Sequence, residues 1–237
     1  MERFDRVKGL IGEESLKKLQ SSSVILFGVG GVGGFVAEAL VRSGIGRLCV
    51  VDGDKVSITN LNRQIIATES SIGKFKVDVV KERLYSVNPK LKIETFNLFY
   101  LPENAHQIDL SSFDYVIDAV DTVSAKLEII CRAKSAGVPV ISCMGTGGKL
   151  IIEKLAVADI KDTKGCPLAR VMRRELSKKG ISGVKVVYSE ESVCGELIRD
   201  ENGSKKSAPS SMIFVPAAAG LYIAREVVND LTNTERE

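Results

Sequence analysis

Val24-Ile25-Leu26-Phe27 is an unbroken apolar run, the pattern of a strand buried on both faces rather than on one. It leads straight into glycines. The segment behind them repeats Val32, Val36, Ala39 and Leu40 at helical spacing and stops at Ser43-Gly44, where glycine can take a left-handed cap. Leu48-Cys49-Val50-Val51 predicts a second buried strand. Val77, Val80, Leu84 and Val87 predict a helix that Asn88-Pro89 ends. Ile93 lies in the next predicted strand and Tyr115-Val116-Ile117 in another that ends in acids; Leu127 to Ala136 predicts a helix, and Val138 to Ser142 a strand. A charged helix over Glu13 to Gln20 precedes all of these.

Strand and helix alternating in this order imply a parallel sheet with right-handed crossovers and helices on both faces. The predicted fold is α/β, doubly wound and Rossmann-like, through about residue 143. The rhythm then changes: Lys149 to Ala158 predicts one or two strands, Leu168 to Lys179 a helix, and Val184 to Tyr188 a strand. Residues 189–210, polar and rich in turn formers, predict a mobile loop. Ile213-Phe214-Val215 reads as a strand, with Leu221, Ala224, Val228 and Leu231 the inward stripe of a closing helix. Without a repeat or a linker, the sequence reads as a single domain over 1–237, with a nucleotide-side half at about 22–143 and a substrate-side half at about 144–231.

Composition narrows the class but not the chemistry. With 237 residues, 44% hydrophobic and 27% charged, the chain can bury a sizeable core and falls outside the disordered, collagen-like and membrane-embedded classes. The apolar run Met212 to Ala224 contains a proline and is short of the ~20 residues of a spanning helix. A net charge of +3 neither requires nor excludes nucleic acid. Cys49, Cys131, Cys143, Cys166 and Cys194 form no Cys-x-x-Cys pair, so a structural zinc is not expected. Their spread, and an N-terminus without an apolar signal stretch, point to a reducing cytoplasm. Cys49, Cys131 and Cys143 read as core residues. Cys166, just before a helix, and Cys194, in the polar stretch, are the positions from which a thiol nucleophile can act. His106 reads as a surface residue.

Gly28-Val29-Gly30-Gly31-Val32-Gly33 fits G-x-G-x-x-G between a buried strand and a helix, where bare backbone N–H groups and the helix N-terminus receive phosphate. Asp52, one strand later, is placed to accept ribose hydroxyls. The residues beyond Asp52 depart from the pattern of a dehydrogenase. Asp54, Asn60, Arg63, Gln64 and Lys76 bring amide, guanidinium and ammonium groups suited to a triphosphate, with Arg63 and Lys76 able to offset charge that develops during nucleotidyl transfer. Asp118 and Asp121 sit at the carboxyl end of a predicted strand, where a carboxylate is a reasonable Mg²⁺ ligand; Asp121 or Thr122 can equally cap the next helix.

The stretches GVGGVGG at 28–34, VVDGDKVSITNLNRQ at 50–64, GKFKVD at 73–78 and DAVD at 118–121 resemble the adenylyltransferases of the ubiquitin-activating-enzyme superfamily, which includes molybdopterin and thiamine biosynthesis activators. The resemblance implies that ATP is held by Gly28, Gly30, Gly31, Gly33, Asp52, Asp54, Asn60, Arg63, Gln64, Lys76, Asp121 and Thr122, with Mg²⁺ on Asp121. Arg63, Lys76, Asp121 and Arg6 are its catalytic candidates. It further implies a homodimer in which Arg6 reaches the neighbouring subunit's ATP.

Residues 124–149, 166–181 and 214–227 are similar to the tRNA threonylcarbamoyladenosine dehydratase branch, which extends the likeness over nearly the whole chain. That branch adenylates the threonyl carboxylate of a modified tRNA adenosine and closes a ring with net loss of water. Sulfur-carrier activators, which take the C-terminal carboxylate of a ubiquitin-like protein, are the alternative; their zinc-binding cysteine pairs are missing here. A non-catalytic nucleotide-binding module and an NAD oxidoreductase are the remaining rivals. Arg170, Arg173, Arg174, Lys178 and Lys179 on one predicted helix, with Lys205 and Lys206, are candidates for tRNA phosphates. No membrane is expected as a partner, and the sequence does not name a sulfur-transfer or cysteine-desulfurase partner.

Overall fold

A computed structural model describes residues 2–199 and 207–233. Helices α1 (Asp5–Ile11) and α2 (Glu13–Ser21) lead into β1 (Ser23–Phe27), α3 (Gly33–Ser43) and β2 (Arg47–Val51). Then come α4 (Lys76–Val87), β3 (Lys92–Phe96), β4 (Tyr115–Asp118), α5 (Val123–Ser135) and β5 (Val140–Cys143). The chain continues through β6 (Leu155–Asp159), α6 (Pro167–Lys178), β7 (Lys185–Ser189), β8 (Leu197–Arg199), β9 (Ser207–Pro209) and α7 (Phe214–Thr232).

The main sheet has the order β3-β2-β1-β4-β5-β7-β6, parallel except that β6 runs antiparallel to β7. The chain moves outward from β1 through β2 to β3 and then crosses back to β4, so the order reverses between β1 and β4. At such a point two carboxyl-end loops diverge and leave a crevice for ligand. This is the α/β doubly wound arrangement that the sequence predicts.

Alternation along β1 explains why the run is apolar throughout. Val24 and Leu26 join one core with α3, α4 and α7, while Ile25 and Phe27 join the other with α5 and α6. Gly44 closes α3 in the left-handed region, at φ +101°.

The structure departs from the sequence pattern mainly beyond β5. Ile213-Phe214-Val215 is not a strand: α7 begins at Phe214, and its inward stripe is Val215, Ala219, Ile223, Val227 and Leu231, leaving Leu221 exposed. Pro216 is tolerated because it lies in the first turn, where no intrahelical partner is lost. Of the one or two strands predicted over 149–158, one forms, β6, preceded by a 3₁₀ turn at Ile152–Lys154. The 189–210 stretch, read as a loop, carries the antiparallel pair β8–β9. At the other end of the chain, helix α1 buries no residue and so has no apolar stripe to read; Phe4, just before it, lies against the Gly44 turn.

Ile223→Ala should lower the unfolding free energy by about 2–5 kcal/mol by leaving a cavity between α7 and the sheet. Leu221→Ala should cost less. Urea unfolding midpoints of the two variants separate the observed stripe from the predicted one.

Candidate nucleotide-binding site

Gly28 takes the chain out of β1 at φ +87°, and a Cβ there would lie 2.7 Å from the Ala119 carbonyl oxygen. A Cβ on Gly33 would lie 1.8 Å from the Gly28 carbonyl oxygen, so the loop closes onto α3 only with glycine there. Gly30 and Gly31 are less crowded; the nearest atoms to their Cβ positions belong to Gln64, Pro216 and Arg63. Asp52 pins this loop to the end of β2: Val29 N–H donates to its Oδ2 and Asp54 N–H to its Oδ1, each at 2.8 Å. Burial pushes the Asp52 carboxyl above its ordinary value, while Lys76 and the two backbone donors pull the other way.

The segment from Lys55 to Phe75 contains no long element and is held by local caps. Asn60, predicted to meet phosphate, is buried and accepts from Ser57 N–H at 3.1 Å, which fixes the turn Ile58–Asn60. That turn presents Arg63, whose Nη1 donates to the Thr59 carbonyl at 2.8 Å and to Asn62 Oδ1 at 3.0 Å. Among the described residues no carboxylate pairs with this guanidinium, and burial lowers its pKa. Gln64 is 6% exposed, and its Oε1 has no hydrogen-bond partner in the structure, an uncompensated acceptor beside Gly30. Lys76, first residue of α4, is buried and pairs with Asp54 at 2.7 Å.

The acidic loop after β4 divides its two carboxylates. Asp118 and Lys126 are both 0% exposed and pair at 3.1 Å; Ser142 Oγ also donates to Asp118 Oδ2, and Lys126 Nζ donates to the Cys143 carbonyl at 2.6 Å. Asp118 Oδ1 accepts Val120 N–H at 3.2 Å. Asp118 is therefore spent inside the fold and is not an available metal ligand, against the sequence expectation. Asp121 is exposed, with Thr122 Oγ1 at 3.2 Å. Thr122 is the residue that precedes α5, yet neither side chain caps the helix. Lys126 and Ser142 were missed in the sequence, although Lys126 shares a three- and four-residue spacing with buried Ile130 and Ala133.

Other candidates stand apart from this crevice. Arg6 is exposed on α1, while its neighbours are engaged: Arg3 with the Val87 carbonyl, Lys8 with Glu13. Phe4 packs at the Gly44 end of α3, the far end from the glycine loop, so Arg6 cannot serve its own chain's site. Arg173 is not a free cation of α6; its Nη1 donates to the Thr163 carbonyl at 2.7 Å and hydroxyl at 2.9 Å. Arg170, Arg174, Lys178 and Lys179 are exposed, with Arg174 and Lys178 both paired to Glu175, at 2.9 and 3.0 Å. Lys205 and Lys206 lie outside the described residues. Burial pushes the Cys49 and Cys143 thiols up to about 12, Cys166 is buried and Cys194 exposed. His106 is exposed in the turn Ala105–Gln107.

A profile of the ThiF family matches residues 4–237. The chain belongs to the ThiF family. The ThiF-family chain is 42% identical over 241 residues to the tRNA threonylcarbamoyladenosine dehydratase of Bacillus subtilis, covering 98% of this chain and 95% of that protein. Its structure superposes on Escherichia coli tRNA N6-threonylcarbamoyladenosine dehydratase, TcdA, in complex with AMP, with TM-score 0.88, 30% identity and coverage of 98% and 94%. Against the ATP complex of the same E. coli protein the TM-score is 0.83, with 29% identity and coverage of 98% and 96%. In this ThiF-family chain Asp52 holds the glycine loop, Gly28 abuts Ala119, Gly30 and Gly31 lie beside Gln64 and Arg63, and Lys76 is tied to Asp54 just beyond β2.

Lys126→Met should cost about 3–5 kcal/mol, because Asp118 is left as an uncompensated buried charge. Adding Asp118→Asn should restore part of that loss; equal thermal unfolding of the single and double variants would contradict the pairing. Gly33→Ala should abolish ATP protection against thermal unfolding.

Proposed function

We propose that this chain is an ATP-dependent tRNA threonylcarbamoyladenosine dehydratase. The observation that carries the reading is the near full-length likeness to proteins of that name, one of them solved with AMP and with ATP. The site accords with it: Arg63, which pairs with no carboxylate among the described residues, and Gln64, whose Oε1 has no hydrogen-bond partner, lie beside Gly31 and Gly30 of the glycine loop.

In this reading the nucleotide half, about 22–143, holds ATP, and the half from about 144 to 231 receives tRNA, within one functional domain. Gly28, Gly30, Gly31 and Gly33 frame the phosphate loop. Asp52 already accepts two backbone N–H groups, and its remaining lone pairs take ribose hydroxyls. Asp54 acts through Lys76, which it orients; Asn60 acts through the turn that aims Arg63 and Gln64. Arg63 and Lys76 stabilise charge on the phosphates as the threonyl carboxylate attacks and pyrophosphate leaves.

Asp121, with Thr122 beside it, is the carboxylate that fits Mg²⁺. No group of three or more metal-ligating side chains exists among the described residues, so such an ion would share Asp121 with phosphate oxygens. When bound, Mg²⁺ offsets negative charge on the triphosphate. Ring closure then expels AMP. Arg6, exposed and remote from its own site, serves a second subunit in a homodimer. The tRNA lies along Arg170, Arg174 and Lys178, spaced by four on the outer face of α6, rather than on Arg173. A cytoplasmic location accords with this substrate.

Incubated with ATP-Mg²⁺, the enzyme should remove one water from the modified nucleoside of threonylcarbamoyladenosine-bearing tRNA, read by mass spectrometry, and Lys76→Ala or Asp121→Ala should abolish the loss. If no water is lost while ATP still protects the fold, the substrate is a protein C-terminal carboxylate, which ATP–pyrophosphate exchange would reveal. Replacing Arg170, Arg174 and Lys178 together by Glu should weaken tRNA binding about tenfold or more and leave ATP affinity unchanged.

A further inference from the structure

Adenylation leaves one chemical task without a residue. Whether the urea nitrogen or the urea oxygen attacks the activated carboxyl carbon, a urea N–H proton must leave as the ring closes, since the net change is loss of water. The step needs a proton acceptor. Arg63 cannot take a proton. Lys76 is paired with Asp54, Asp118 is enclosed by Lys126 and Ser142, and Asp52 is hydrogen-bonded to two backbone donors. Asp121 is assigned to the metal.

Lys149 is different. It follows Gly147-Gly148 in the loop leaving β5, it is 3% exposed, and its Nζ donates to the Ser189 carbonyl at the carboxyl end of β7 at 2.9 Å. No carboxylate among the described residues lies within ion-pair distance of it. The acid in its neighbourhood, Glu191, is taken by the N–H groups of Leu150 and Ile151. Around the amine stand Cys143 from β5, Cys166 at the start of α6 and Glu191 beyond β7; Lys126 faces Cys143 from α5, and Lys154 faces Glu191. Burial lowers the pKa of the amine, and the two thiols and Glu191 oppose this only in part. A buried lysine without an anion favours its neutral form, which carries a lone pair.

We propose that Lys149 is the general base of the cyclisation. The proposal rests on the dehydratase reading above. The urea nitrogen or oxygen forms a bond to the carboxyl carbon of the adenylate, the bond from that carbon to the phosphate oxygen breaks, AMP leaves with the electron pair, and the urea N–H proton passes to Lys149 Nζ. Lys149 lies at the carboxyl ends of β5 and β7, and β4, whose following loop carries Asp121, is on the other side of β5; with strands about 4.8 Å apart, about 10 Å separates β4 from β7. That span suits a substrate whose carboxylate is at the phosphate and whose urea reaches inward. The cover is thin: Cys194 N–H donates to the Gly148 carbonyl at 2.8 Å, and Val193 and Cys194 are themselves exposed, so the substrate reaches the amine by displacing this segment.

The test separates the two chemical steps in the full-length enzyme with threonylcarbamoyladenosine-bearing tRNA. Lys149→Arg and Lys149→Met should retain tRNA-dependent ATP–pyrophosphate exchange within about twofold, while formation of the dehydrated nucleoside falls about 100-fold or more. Arginine keeps the length and the charge but cannot accept the proton, so it serves as the decisive variant should methionine fail to fold. The acid limb of the wild-type single-turnover cyclisation rate should vanish in both. Full dehydration by Lys149→Arg, or an equal loss of exchange and dehydration in a variant with unchanged thermal stability, overturns the proposal alone. Absence of tRNA-dependent exchange in the wild type overturns the dehydratase reading and this proposal with it.

Discussion

The Asp118 carboxylate, wholly removed from water between Lys126 and Ser142, fixes how β4, α5 and β5 meet at the edge where the strands end. Two buried charges are costly unless each finds further partners. Here Lys126 also takes the Cys143 carbonyl and Asp118 also takes Val120 N–H, so both loops leaving this edge are set by one ion pair. The loop after β4 is thereby held with Asp121 outward, and the loop after β5 departs toward Lys149. A second carboxylate, Asp52, does the equivalent for the glycine loop. Acids that in isolation read as ligands are divided between holding loops and meeting ligand.

The sheet supplies the stage for this division. Because every strand of the nucleotide half is parallel and most are covered on both faces, only their carboxyl-end loops are free to carry polar chemistry. Glycines at 28 and 33 let the first loop pass so close to Ala119 and to itself that phosphate donors and the acidic loop come to one crevice.

The nucleotide half was legible because each element there carries its own periodicity and the motif lies in its physical context: β1, α3, β2, α4 and β4 fall within a few residues of expectation. The site residues were nameable by type, but not their partners. Asp118 and Asp121 look alike in sequence, and only the burial of Lys126 tells them apart; Arg173 and Arg174 are adjacent, yet the turn at Thr163 holds the first half-buried while the second lies exposed against Glu175. The C-terminal half was less legible. Phe214 and Val215 are β-formers that join a helix because their spacing to Ala219 and Ile223 outweighs local propensity, and the stretch that carries β8 and β9 is tied at Cys194 and Ser210 to Gly148, which is remote in sequence.

The reversed strand β6 carries a consequence for how the substrate half can diversify. By running against its neighbour it starts at the crevice edge and leaves from the opposite one, so the chain must traverse α6 before β7 brings it back to the crevice. Insertions in residues 179–184, between the end of α6 and the start of β7, would therefore accumulate at the end of the molecule away from the reacting groups, whereas those after Ser189 would bear directly on what enters. Lineages of this architecture can lengthen one connection as ornament and must alter the other to change diet.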